Sequence, residues 1–186
     1  MKHQKKNLQS RMRKKAMELP EEYCTSADKA IGRYVMSLAE YQKAKTVFCY
    51  VGRKREINTR PILEQILRDG KRLGVPKCVE KGIMEVREID SFECLEAGAY
   101  GILEPKDGCA CIRSEEIDLA LIPCLSCSHD GKRLGHGGGY YDRYLQCSDF
   151  TKVVFCRERL TEEEIPTDSL DISMDIVVTE KGIWRM

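Results

Sequence analysis

The chain has 186 residues with 31 Lys+Arg and 30 Asp+Glu, a formal net charge of +1. That length suits one domain, and so even a charge balance gives no general footprint for nucleic acid or membrane. Hydrophobic residues make up 42%, too many for a disordered chain, yet no apolar run approaches the roughly 20 residues of a bilayer-spanning helix.

Residues 4–18 read as a helix with Leu8, Met12, Lys15 and Leu19 near one stripe, stopped or restarted by Pro20. A second helix is expected over 21–40, with Ala27, Ile31, Val35 and Leu38 at helical spacing. Thr46–Val51 is a short run of β-formers and reads as a buried strand, followed by the polar loop 52–56. Asn58 or Thr59 caps the next helix, Pro61 sits in its first turn, and Asp69-Gly70 ends it. Residues 72–76 and the alternating 84–89 predict two further strands; 90–116 is rich in turns and gives no clear element. Ile117–Pro123 is a core strand, 124–139 a long loop with three consecutive glycines, and Tyr140–Leu145 a helix. Strands at 152–156 and 175–179 close the order, with a helix expected after Thr161. Alternating strands and helices predict an α/β three-layer sandwich, a mostly parallel central sheet flanked by helices, as one domain over residues 1–186. In such sheets ligands gather beyond the carboxyl ends of the strands, which here means loops 52–58 and 124–139.

The amino-terminal 15 residues carry seven bases and no acid, whereas Arg157–Asp175 has seven acids and two bases. The basic start is either a solvated helix face or a surface that meets an anionic ligand. It lacks an apolar stretch of secretory type, so a cytoplasmic protein is expected. The ten cysteines, about one residue in nineteen, accordingly read as reduced thiols. Cys109-Ala-Cys111 and Cys124-Leu-Ser-Cys127 offer four thiolates to zinc, although the C-x-C half matches ordinary zinc spacing poorly. The plain alternative is cysteine as a small hydrophobe.

Two loops carry candidate chemistry. In Arg133-Leu-Gly-His-Gly-Gly-Gly-Tyr-Tyr-Asp142 the glycines permit left-handed backbone and close approach, and their N–H groups suit phosphate. This is neither of the common glycine fingerprints, and a plain flexible loop is the alternative. Arg133 and His136 add positive charge, and Tyr140 and Tyr141 can flank a planar ligand. Asp142 either compensates the helix dipole or ligates the Mg²⁺ that accompanies a nucleotide. In the other loop Glu56, beside Arg53, Lys54 and Arg55, is either a salt-bridged loop residue or an acceptor for the N–H donors of a heterocycle. Asp175 precedes a strand, which in a parallel sheet is the end away from the site, so capping is its local reading.

Taken together, RLGHGGGYYDRYL at 133–145, the preceding IPCLSCSHDGK, KKNLQSRMRKK, EYQKAKTVFCYVGRKREINT, GILEP at 101–105 and DIVVTEKGI at 175–183 resemble the 5-formyltetrahydrofolate cyclo-ligase (5,10-methenyltetrahydrofolate synthetase) family over nearly the whole chain. The resemblance implies ATP-dependent cyclisation of 5-formyltetrahydrofolate to 5,10-methenyltetrahydrofolate, with release of ADP and phosphate, through phosphorylation of the formyl oxygen. It implies a ligase of folate and one-carbon metabolism, a monomer acting on small molecules, with Mg²⁺ as cofactor, ATP as co-substrate and no nucleic-acid or membrane partner. By position, Lys5, Lys6, Asn7, Leu8 and Gln9 would contact ATP, as would Arg133, Leu134, Gly135, His136, Gly137, Gly138, Gly139, Tyr140 and Tyr141. Arg133, Gly137, Gly138, Gly139 and Tyr140 would carry catalysis; Val51, Glu56, His136 and Tyr140 would bind the folate; Asp142 and Asp175 would hold Mg²⁺. Gln9 stands where some members have Arg, His136 occupies a variable position, and Gly138 replaces a Lys of some relatives. Modest shifts in nucleotide affinity are the expected result.

Overall fold

The computed structural model describes residues 2–98 and 101–186. Helix α1 (Lys2–Glu18) is followed by α2 (Glu21–Ser37), the two divided at Pro20. The single helix expected over 21–40 is in fact two, because Leu38 adopts an extended backbone (φ −61°, ψ 132°) before the short α3 (Ala39–Lys43). Strand β1 (Thr46–Cys49) leads through a loop to α4 (Arg60–Arg68), with Pro61 in the first turn as its fixed φ allows. Strand β2 (Arg72–Glu80) runs four residues past its expected end, because it pairs in a hairpin with β3 (Ile83–Ile89). The turn between them needs Gly82 at φ +82°.

The stretch that gave no clear element holds three short strands: β4 (Leu95–Ala97) pairs with β5 (Leu103–Pro105), and β6 (Cys111–Ile112) adds to β3. Strand β7 (Leu119–Ile122) enters the long loop, within which β8 (Ser126–Cys127) and β9 (Arg133–Leu134) form a small hairpin before α5 (Tyr140–Leu145). Strands β10 (Thr151–Phe155), β11 (Ile176–Thr179) and β12 (Gly182–Arg185) complete the order. No helix forms directly after Thr161. The Glu162 N–H is pinned to the Cys127 carbonyl at 3.0 Å, and Pro166 interrupts the segment.

The main sheet has the order β12-β11-β10-β7-β1-β2-β3-β6. The run β11-β10-β7-β1-β2 is parallel; β12, β3 and β6 are antiparallel additions at the two sides. Strands β1, β7 and β11 are buried at every residue, as strands covered on both faces must be. On one face Val47, Leu121 and Val178 pack beneath Ile31, Val35 and Ile66 of α2 and α4. On the other, Phe48, Ile122 and Val177 meet Leu145 of α5 with Phe150, Leu160 and Met174 from the connections. Helix α1 joins through a separate patch in which Leu8 and Met12 meet Leu125, Leu134 and Ile165. Burying those two side chains is worth about 3–6 kcal/mol before entropy is charged. None of the described helices is long and apolar enough to cross a membrane.

Candidate active site

Beyond the carboxyl ends of β1 and β7 opens a cleft of about 640 Å³. Tyr50, Val51 and Pro123 reach it from these strand ends, Pro76 and Cys78 from β2, and the β9–α5 glycine loop closes one side. Lys5, Gln9 and Arg13 of α1 stand on its rim. The two loops singled out in the sequence therefore share one cavity.

The glycine loop is built by its backbone. Gly137 (φ +99°) and Gly139 (φ +68°) are left-handed, and a Cβ on Gly139 would lie 2.8 Å from Arg143 Nη1. Side chains hold three of its carbonyls. Gln9 Nε2 donates to Gly135 O at 2.9 Å, Arg13 Nη2 to His136 O at 2.8 Å and Arg143 Nη2 to Gly138 O at 2.6 Å. Arg143 Nε also donates to Gly82 O at 2.7 Å, which ties the loop to the β2–β3 turn. The N–H groups of Gly137, Gly138 and Gly139 make no hydrogen bond among the described residues. Three free donors on a cationic rim suit a polyanion.

Across the cleft, Glu56 accepts the Arg53 backbone N–H at 2.8 Å and the Arg53 guanidinium at 2.7 and 3.1 Å. His136 Nε2 lies 3.1 Å from the same carboxylate, close enough for an ion pair but off the hydrogen-bonding angle. Burial alone would raise the Glu56 carboxyl; contacts with His136 and Arg53 outweigh it and bring it down to about 2. Glu56 is thus salt-bridged, and its carboxylate lines the cleft.

Arg133 joins the two halves. Its side chain is 3% exposed, with Nη1 on the Pro123 carbonyl at 2.9 Å and Nη2 on Asp142 Oδ1 at 2.8 Å; Nε has no partner among the described residues. Tyr141 lies beneath this guanidinium, 5.7 Å from ring centroid to Cζ, and stacks on Phe48. Its hydroxyl is pushed well above the ordinary tyrosine range by burial. Tyr140 lines the cleft beside Gly138.

Of the amino-terminal residues, Lys5 and Gln9 reach the cleft, whereas Lys6 and Asn7 are exposed and Leu8 is spent on anchoring α1. Lys5 pairs with Asp168 at 2.7 Å and with Asp171. Asp142 lines the cleft; Asp175 does not. Asp175 stands at the amino-terminal end of β11, where its carboxylate accepts the Lys152 N–H at 2.7 Å and lies 3.4 Å from Lys152 Nζ. That is the capping role its local context suggested, and the fold does not bring it to Asp142.

Among the cleft residues that carried no assigned role in the sequence are Arg143, Glu104 and Cys78. Arg143 is recognisable only as a base four residues after Gly139. Glu104 sits inside GILEP, is 5% exposed, and accepts the Cys78 N–H at 3.3 Å. Burial and then Glu104 push the Cys78 thiol up to about 11.

Fold and cleft together define an α/β protein that sets a cradle of free amides against a charged carboxylate pocket. The sequence profile of the 5-formyltetrahydrofolate cyclo-ligase family matches residues 1–180. A probable 5-formyltetrahydrofolate cyclo-ligase of Schizosaccharomyces pombe is 31% identical over 84% of this chain and 85% of its own. The Escherichia coli K12 5-formyltetrahydrofolate cyclo-ligase is 29% identical over 94% and 98%. The NMR structure of Aquifex aeolicus 5,10-methenyltetrahydrofolate synthetase superimposes with a TM-score of 0.86 at 33% identity, covering 97% of this chain and 92% of that one. The chain belongs to the 5-formyltetrahydrofolate cyclo-ligase family.

Proposed function

We propose that this protein catalyses the ATP-dependent cyclisation of 5-formyltetrahydrofolate to 5,10-methenyltetrahydrofolate, with release of ADP and phosphate. The observation that carries the reading is the meeting, in one cleft, of the unbonded Gly137–Gly139 amides, the Glu56 carboxylate and the α1 rim.

A formyl group on nitrogen is amide-like and a poor electrophile. Phosphorylation of its oxygen turns that oxygen into a leaving group. In the proposed sequence the γ-phosphoryl moves to the formyl oxygen as its bond to the ADP oxygen breaks. Nitrogen 10 of the folate then attacks the formyl carbon and gives its proton to solvent. The carbon–oxygen bond breaks, and phosphate departs with that oxygen. The protein's task is positioning and charge stabilisation. The amides of Gly137, Gly138 and Gly139 hold the triphosphate end, with Lys5 and Gln9 of α1 beside them and Arg133 and Tyr140 at the reacting centre. Glu56 accepts pterin N–H donors, with Val51 and His136 next to it.

The residues present fit a nucleotide-borne Mg²⁺ through Asp142, whose Oδ2 makes no hydrogen bond among the described residues; Asp175 is not part of that set. When bound, the ion would offset charge on the phosphate oxygens. A cytoplasmic monomer acting on these small molecules completes the proposal.

The test is the growth of methenyltetrahydrofolate absorbance from 5-formyltetrahydrofolate with purified protein. It should require both ATP and Mg²⁺. Tight binding of both substrates with no ATP-dependent product would replace the enzyme by a binding protein.

A further inference from the structure

Three thiols meet beside the cleft. Cys124 follows β7, Cys127 lies in β8 and Cys156 follows β10, and their Sγ atoms all lie within 4.8 Å of one another. Cys127 is 0% exposed and Cys156 3%. The four-cysteine zinc set suggested by the sequence does not assemble. Cys111 lies in β6, four strand positions from β7 in the sheet order, roughly 19 Å at ordinary strand spacing. Cys156, distant in sequence from both pairs, takes the place of Cys109 and Cys111.

We propose that Cys124, Cys127 and Cys156 form a binding site for one thiophilic divalent cation of the zinc type. A tetrahedral zinc thiolate has Zn–S of about 2.3 Å and hence S···S of about 3.8 Å. The observed cluster needs a contraction of less than about 1 Å per pair of sulfurs to match it. Cys124 and Cys127 come from one segment, but nothing in small-hydrophobe packing requires Cys156 of a different strand end to meet both of them sulfur to sulfur. Space for a fourth ligand exists. Cys124 and Cys156 line a cavity of about 40 Å³, which His136 also lines. That volume admits a water molecule as the fourth ligand; His136 Nε2 itself is turned to the Glu56 carboxylate at 3.1 Å.

The proton balance of the cluster is divided: hydrogen bonds from Cys127 and then Cys156 hold the Cys124 thiol well below its ordinary range, whereas the Cys127 and Cys156 thiols are held well above theirs, through Cys124 first. Binding moves no electrons: each ligating thiol gives its proton to solvent as its sulfur bonds the ion. Three thiolates around a divalent ion leave one net negative charge, next to the hairpin that carries the Arg133–Asp142 pair. The site also borders the catalytic support. Cys127 pairs with Arg133 across the β8–β9 hairpin, and Arg133 Nη1 is held by the carbonyl of Pro123, the neighbour of Cys124. A bound ion would tie the ends of β7, β8 and β10 around that arginine.

The experiment titrates the reduced, metal-free, full-length protein with Zn²⁺, and with Co²⁺ as the spectroscopic probe. The expected result is one equivalent bound, a thiolate-to-cobalt charge-transfer band of three-thiolate intensity with tetrahedral d–d bands, and a higher melting temperature. Cys124→Ser and Cys156→Ser should each weaken binding more than tenfold, while Cys147→Ser, at an exposed position, should leave it unchanged. The wild-type band intensity counts thiolates without any variant, so a substitution that fails to fold does not spare the proposal. A one-thiolate spectrum, no saturable binding, or full binding in Cys156→Ser would each overturn it, as would a cluster whose only chemistry is air oxidation to a disulfide. The absorbance assay for folate cyclisation is read separately, so either reading can fail without the other.

Discussion

Replacing Glu56 by Gln removes one negative charge and almost no volume. The carboxylate it replaces takes contacts from Arg53 at 2.7, 2.8 and 3.1 Å and from His136 at 3.1 Å. A carboxyl held at about 2 against an ordinary 4.5 represents about 3 kcal/mol favouring the charged form, an upper bound on its share of stability at neutral pH. The folded value is the lowered one. That stability is therefore complete above about pH 4.5 and is lost as pH falls towards about 2. At about 2–4 °C per kcal/mol for a domain of this size, Glu56→Gln melts up to about 12 °C lower at pH 7, and the gap to wild type closes in acid. On the proposed function the same charge accepts the pterin donors. A hydrogen bond to a charged group is worth about 1.5–3 kcal/mol, so 5-formyltetrahydrofolate binds about 10–150-fold more weakly. Affinity for a non-hydrolysable ATP analogue stays as it was. Titration of both ligands, below the variant's melting temperature, checks this. Folate affinity within twofold of wild type would refute Glu56 as the pterin acceptor; a melting gap that persists at pH 2 would refute the linkage.

Gly139→Ala forces a side chain into a left-handed position, at about 1–2 kcal/mol, and brings its Cβ to 2.8 Å from Arg143 Nη1. ATP affinity should fall by roughly tenfold or more, with folate affinity little changed, as separate titrations would read. Asp142→Asn should raise the Mg²⁺ concentration needed for half-maximal turnover. An unaltered metal dependence with slower turnover would restrict Asp142 to holding Arg133. Asp171→Asn removes one of two carboxylates that compete for Lys5. An exchangeable pair of this kind is worth about 0.2–1 kcal/mol, so ATP binding should tighten by up to about fivefold; weaker binding would mean that Lys5 acts only as a structural tether.

The core strands were legible because strands covered on both faces carry unbroken apolar runs, such as Val47-Phe48-Cys49 and Leu119-Ala-Leu-Ile122. Helix α4 was legible from its local punctuation: Pro61 in the first turn and Gly70 at φ +69° beyond its end. What the sequence hid was set by pairing at a distance. The far half of β2 contains Pro76, Lys77 and Glu80 and becomes a strand only because β3 lies beside it. Strand β12 is only partly buried and has no strong period of its own. Glu162, Glu163 and Glu164 suggest a helix start, but tertiary hydrogen bonding decides otherwise. The site divides in the same way. Its glycines and Glu56 sit where a strand has just ended, which a local reading can find. The bond from Gln9 to Gly135 spans 126 residues, and the third thiol, Cys156, follows a different strand from the first two. No local pattern announces either.

The two charge biases of the sequence answer each other in the fold. The basic face of α1 lies along the acidic segment, with Arg11 2.5 Å and Lys15 3.8 Å from Glu162, and Lys5 between Asp168 and Asp171. Exposed pairs such as Arg11–Glu162 each add little, about 0–1 kcal/mol. The apolar contacts of Leu8 and Met12 must therefore supply most of what positions α1. This division suits a rim that must exchange partners. A helix located by buried carbon keeps its place when a lysine turns from carboxylate to phosphate, whereas one located by the ion pairs themselves would lose its anchor at the moment of binding.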